Sequence, residues 1–159
     1  MRRLVWTASD AVWVEELDDE HKEIFAAVAR LTQAGEAEAP QAMEQLAASM
    51  AAHFAHEERL MRAARYAGLA WHKQQHDSAR RRVRQFAPAV GLGQASAAAG
   101  LTHYLTDWLQ RHTRVADRML GAFLRNQRRC AKLTIRIGTK PAGACEWVDS
   151  RGEPFDPRR

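Results

Sequence analysis

Met43-Glu44-Gln45-Leu46-Ala47-Ala48-Ser49-Met50-Ala51-Ala52-His53-Phe54-Ala55-His56-Glu57-Glu58-Arg59-Leu60 decides the fold of this chain. Within it Met43, Leu46, Met50, His53, Glu57 and Leu60 recur at steps of three and four residues, the period of one face of an α-helix. Pro40 suits the first turn, where its missing N–H is not needed. The stripe is apolar until His53 and Glu57 enter it. Residues four apart lie only ~40° apart around the axis, so both side chains enter the same space. An ionised carboxylate there costs several kcal/mol unless it is paired or bound to a metal.

Three further segments repeat the pattern. Asp18 is the expected N-cap of a helix whose face carries His21, Ile24, Phe25, Val28 and Leu31, with Gly35 as its stop. After a turn around Tyr66 to Gly68, a third stripe runs through Leu69, His72, His76, Ala79, Val83 and Phe86 until Pro88 ends it. Residues 88–100 read as a loop that becomes helical near Ser96, and Leu101, Leu105, Trp108, His112, Val115 and Met119 form the fourth stripe. Four amphipathic helices with short connections predict an all-α, antiparallel up-down four-helix bundle over residues 18–127. Residues 1–17 would be an N-terminal arm and 128–159 a basic C-terminal tail, in which Leu133 to Ile137 reads as a short strand.

Composition bounds the rest. A length of 159 residues, 46% hydrophobic, suits one domain with a sizeable core. Residues 1–124 hold fifteen Lys/Arg against fifteen Asp/Glu, so the net charge of +5 falls in the last 35 residues. That basic tail offers a surface to a protein partner; neither it nor the Arg80-Arg81-Arg82 run belongs to a recognisable nucleic-acid module, so nucleic acid is not an expected partner. Leu4-Val5-Trp6 after Arg2 and Arg3 is cut short by Asp10, too early for a signal peptide or membrane span, which leaves a cytoplasmic location as the expectation. Cys130 and Cys145 form no Cys-x-x-Cys unit, and in a reducing compartment they are expected to stay reduced.

The helical stripes place His21, His53, Glu57, His72, His76 and His112 inward. One such histidine is ordinarily a satisfied core residue. Five, with a carboxylate, form a ligand set for adjacent metal ions, and donor type alone admits iron, zinc, copper or nickel. Asp117 is untidy: five residues from His112, it lies ~140° away on an ideal helix. His56 and His103 fall off the stripes and are read as bystanders.

At these residues the chain resembles the bacterial hemerythrins. The motifs are Asp18-Asp19-Glu20-His21-Lys22, His53-Phe54-Ala55-His56-Glu57-Glu58-Arg59-Leu60-Met61, His72-Lys73-Gln74-Gln75-His76 and Trp108-Leu109-Gln110-Arg111-His112 followed by Asp117, spread over roughly residues 13–124. The resemblance implies two non-haem irons, one held by His72, His76 and His112 and the other by His21 and His53. Glu57 and Asp117 would bridge both, together with a solvent-derived oxygen. Counting donors then leaves one open position, on the iron held by His21 and His53, where dioxygen would bind.

Ile24, Phe54, Trp108 and Leu109 resemble the apolar lining of the family's oxygen pocket. Thr113 departs from it, since the family commonly has an aliphatic residue after the last-helix histidine; a hydroxyl there would admit water or bond the bound gas. The chain has no Glu-x-x-His unit, and two carboxylates against four positive charges leave a diferrous centre near +2, which favours binding over oxygen activation. Reversible oxygen storage, delivery or buffering is therefore the first expectation, with no enzymatic turnover. A sensor acting through a partner, and an enzyme handling peroxide, nitric oxide or ferrous iron, are the alternatives.

Overall fold

The computed structural model describes residues 4–137. Helix α1 spans Glu15–Gln33, α2 Ala39–Ala63, α3 Leu69–Gly91 and α4 Ala95–His112. The last continues through a π turn, Thr113–Asp117, into α5, Arg118–Ile137, so α4, π turn and α5 make one long rod. A short 3-10 turn, Ala8–Asp10, precedes the bundle. Each helix packs on the next and α4 closes back onto α1, giving the expected antiparallel four-helix bundle. No strand occurs among the described residues.

Local chemistry moves several expected boundaries. Helix α1 starts at Glu15 with Val14 as N-cap, not at Asp18. Asp18 caps the arm instead, accepting hydrogen bonds from the backbone N–H of Val12 (2.8 Å) and Trp13 (3.0 Å). Glu15, Glu16 and Asp18 in the first turn complement the helix dipole. Pro88 does not end α3; it sits in the last turn, which runs on to Gly91. A proline that close to the end forfeits one backbone bond without breaking the helix behind it. The stop comes at Gly93, whose φ of +75° suits a residue without a Cβ. Residues 133–137 are the last turns of α5, a correction to the strand expected there. Their spacing suits either structure, and continuity with the rod decides it.

The buried side chains fall into two apolar clusters. The larger joins Ile24, Phe25, Val28 and Leu31 of α1 to Met43, Leu46, Met50 and Phe54 of α2, Ala79 and Val83 of α3, and Leu101, Leu105 and Leu109 of α4. The smaller, at the other end, joins Val12, Val14 and Leu17 to Met61, Tyr66, Leu120 and Leu124. Between them every helix carries its polar inward residues: His21 lies between Leu17 and Ile24, Glu57 between Phe54 and Met61, and His112 and Asp117 between Leu109 and Leu120. Each large buried apolar side chain contributes roughly 1.5–3 kcal/mol. The two clusters therefore hold the helices in register on either side of a polar layer.

Cys130 is buried and is not a free thiol, contrary to the reduced state expected for it. Cys145 lies outside the described residues. No helix among the described residues is long and apolar enough to cross a membrane.

The arm packs tightly on α5 at Gly121, where an added Cβ would meet the backbone oxygen of Val12 at 2.5 Å. Gly121→Ala should gain up to ~1 kcal/mol in helix propensity and lose more to the backbone clash, for which overpacking costs of ~1–3 kcal/mol are usual. A lowered urea midpoint is expected; a raised one would show that the arm can move aside freely.

Candidate metal centre

The polar layer contains all seven of the sequence-selected donors, each no more than 3% exposed. They form two groups whose ligand atoms lie within 4.8 Å of one another: Glu57, His72, His76, His112 and Asp117 in one, His21, His53, Glu57 and Asp117 in the other. The two carboxylates belong to both. Glu57 Oε2 lies 3.2 Å from His72 Nε2, 3.1 Å from His76 Nε2 and 3.6 Å from His53 Nε2. Asp117 Oδ1 lies 3.1 Å from His72 Nε2 and 3.0 Å from His112 Nε2, while its Oδ2 is 3.1 Å from His21 Nε2.

Asp117 reaches this position because of the π turn. On an α-helix it would lie ~140° away from His112. The i→i+5 bonding of Thr113–Asp117 widens the turn, so residues five apart return to nearly the same face. Periodicity could not select Asp117 for the same reason, since the α-helical period fails at this one place.

Those close approaches are not a hydrogen-bond network. Both oxygens of Glu57, both of Asp117 and Nε2 of His72, His76 and His112 are buried without an acceptable hydrogen bond among the described residues. The atoms lie at hydrogen-bond distance but aim past each other. Nε2 of His21 and His53 are the exception, within hydrogen-bond contact of each other at 3.1 Å. Buried polar groups are rarely left this way, and converging lone pairs on imidazole and carboxylate are what a cation requires. The residues present therefore fit a pair of metal ions, with His72, His76 and His112 on one and His21 and His53 on the other.

Electrostatics agree. Burial disfavours the charge on Glu57 and Asp117, yet both are held below the usual carboxylate range, Glu57 by His53, His72 and His76 and Asp117 by His112, His21 and His72. Burial likewise opposes protonation of His72, but Asp117 and Glu57 outweigh it and push the ring up to about 10. His21 is raised against its burial by Asp117, whereas burial wins at His112 and lowers it. Tyr66 is pushed up to about 12 by burial and then by the same two carboxylates. Without a cation, the raised His72 and His21 favour the protonated ring beside the two carboxylates, and metal uptake would displace those protons.

Residues outside the sequence-selected set orient the rings. Nδ1 of His53 bonds Glu20 at 2.8 Å, and Nδ1 of His112 bonds the side-chain oxygen of Gln75 at 3.1 Å. Nδ1 of His76 lies 3.5 Å from Glu58, which Arg80 holds at 2.9 Å. Such contacts fix the tautomer that leaves Nε2 free to ligate. Their signal in the sequence is a polar residue next to a ligand in the chain, as Glu20 is to His21, Glu58 to Glu57 and Gln75 to His76. His56 lies outside both donor groups and bonds the other oxygen of Glu20 at 2.7 Å; exposed His103 is outside them too.

Of the residues expected to line a pocket, two stack on donor rings. Ile24, Phe54 and Leu109 are buried, Phe54 stacking on His76 at 4.1 Å. Trp108, half-buried, stacks on His112 at 4.3 Å. Thr113 is buried, and its hydroxyl has no partner among the described residues.

An all-α bundle with paired buried donor groups at mid-height is a helical-bundle metal-binding protein. The hemerythrin HHE cation-binding domain matches residues 13–124, and the chain belongs to that family. It is 34% identical to a hemerythrin of Siphonosoma cumanense over 113 residues, covering 71% of this chain and 87% of the relative. It is 32% identical to myohemerythrin-1 of Phascolopsis gouldii over 117 residues, with the same coverage of 71% and 87%. A bacteriohemerythrin of Methylococcus capsulatus is 29% identical over 129 residues, covering 78% of this chain and 98% of that protein.

Glu57→Gln keeps the shape but removes the anion common to both donor groups, and metal loaded into it should be lost on dialysis. Glu20→Gln should cost roughly ten- to hundredfold in affinity. Metal analysis after dialysis checks both, and wild-type retention by Glu57→Gln would remove that residue from the centre. In chelator-treated protein the raised His72 contributes stability that is complete below its ordinary value of ~6.5 and lost as pH rises through about 10. The urea midpoint of that form should fall between pH 7 and 10; a flat profile would contradict the pairing.

Proposed function

We propose that the chain holds two non-haem iron ions and binds dioxygen reversibly, as an oxygen store, carrier or buffer. One observation carries the reading: the two donor groups share Glu57 and Asp117 but are unequal, with three histidines on one side and two on the other. When bound, two ferrous ions would supply one electron each to dioxygen, at the side with fewer histidines.

This chain's own residues then hold and shield. Glu57 and Asp117 would be shared by the two ions, and Glu20 keeps Nε2 of His53 turned inward. Ile24, Phe54 and Leu109 exclude water from the layer, which strengthens every charge interaction inside it. The buried Thr113 Oγ1, without a partner among the described residues, stands one residue after His112 as a donor for a bound ligand or a stray water. Two carboxylates with no Glu-x-x-His unit favour binding over turnover.

Repeated oxygenation and deoxygenation, followed optically, tests the reading. The reduced spectrum should return each time oxygen is withdrawn, and steady consumption of an electron donor without that return would favour an enzyme. Thr113→Ile should dry the pocket and lengthen the life of the oxygenated form by roughly fivefold, the rate equivalent of one ordinary hydrogen bond. Iron content should not change. Equal lifetimes would remove Thr113 from the account and leave reversible binding standing.

A further inference from the structure

The rod that supplies His112 and Asp117 is gripped from outside by the N-terminal arm. Asp10 is fully buried. Its Oδ2 accepts from the backbone N–H of Thr7 at 2.9 Å and from the Thr7 hydroxyl at 2.8 Å, and its Oδ1 accepts from Arg114 Nε at 2.8 Å. Arg114 is the second residue of the π turn, three before Asp117. Arg118, one residue after Asp117, donates to the backbone oxygens of Ser9 and Ala11, and Arg125 donates to that of Val12. Gly121 lies between the two arginines and lets the arm backbone sit directly on the helix.

The arm is itself over-determined. Asp18 ties down the N–H groups of Val12 and Trp13. Trp13 is held at φ +56°, a left-handed conformation uncommon for a bulky side chain. Its ring lies 5.2 Å from the Arg118 guanidinium and 5.4 Å from that of Arg125, so the same cations grip backbone and ring. Segments held in strained conformations by many contacts commonly serve a site.

We infer that residues 7–14 clamp the π turn and so position Asp117 between the two donor groups, with the ion pair between buried Asp10 and the solvent-facing Arg114 as the clamp's key contact. The reason is conformational. A π turn is rarely used, and relaxing Thr113–Asp117 to α-helical register would carry Asp117 ~140° from the face of His112. Arg114 cannot follow such a rotation without leaving the buried Asp10 carboxylate its Thr7 hydrogen bonds but no counter-cation, which is disfavoured. Asp10 and Arg114 belong to neither donor group, so they are positioning residues. The inference rests on the two-iron reading for its purpose, not for its geometry.

Amide hydrogen exchange on the full chain without metal, read by mass spectrometry, tests the clamp directly. Asp10→Asn, which keeps the shape, and Arg114→Gln, at the outer end of the pair, should each speed exchange across residues 113–121 by roughly ten- to hundredfold. Residues 50–58 of α2 should exchange as in the parent, and Arg114→Lys, which keeps a cation beside Asp10, should recover part of the protection. After iron loading, both variants should show a shifted visible spectrum of the oxidised centre. Parental exchange and spectrum in both variants would overturn the clamp, as would equal acceleration in 50–58, which marks mere global loosening. If the parent takes up no iron while the variants still loosen 113–121, the clamp stands and the two-iron reading falls.

Discussion

The sharing of two buried carboxylates by five histidines is the constraint on which the rest of this structure depends. Glu57 and Asp117 sit in the middle of a bundle with apolar clusters at both ends, where an isolated ion would be several kcal/mol too costly. Histidine rings surround them at about hydrogen-bond distance without completing hydrogen bonds. The arrangement is stable only if positive charge occupies the layer, as protons on the rings or as metal ions. Everything outside the layer can be understood as holding that arrangement against its tendency to relax.

The holding comes from different directions. The apolar clusters set the helices in register, so that one level of each helix meets the same level of its neighbours. Glu20, Gln75 and Glu58 turn individual rings from behind. The π turn brings in the last carboxylate, at the cost of helical regularity in the very rod that also supplies His112.

Much of this was legible in the chain because helix period and ligand spacing coincide. His53/Glu57 and His72/His76 are four apart and lie on apolar stripes, as do His21 and His112, so the same count that finds the helices finds six of the seven donors. Asp117 was legible only through resemblance to a family, since its selection depends on a break in the period. Asp18 misled as a helix cap because its partners are arm amides reached through a turn, not the first turn of α1. Pro88 misled because a proline in the final turn costs little. Glu20 is marked in the chain only by standing beside His21, since its contact with His53 spans 33 residues; Asp10 and Arg114 were out of reach altogether, meeting across 104 residues in a contact that no local pattern encodes.

The central claim is that two metal ions share Glu57 and Asp117. Anomalous diffraction at the iron edge from crystals of the iron-loaded protein tests it most directly. Two peaks roughly 3.5 Å apart, with both carboxylates touching both, are the predicted result. A single peak, or two peaks with separate ligand sets, would contradict it.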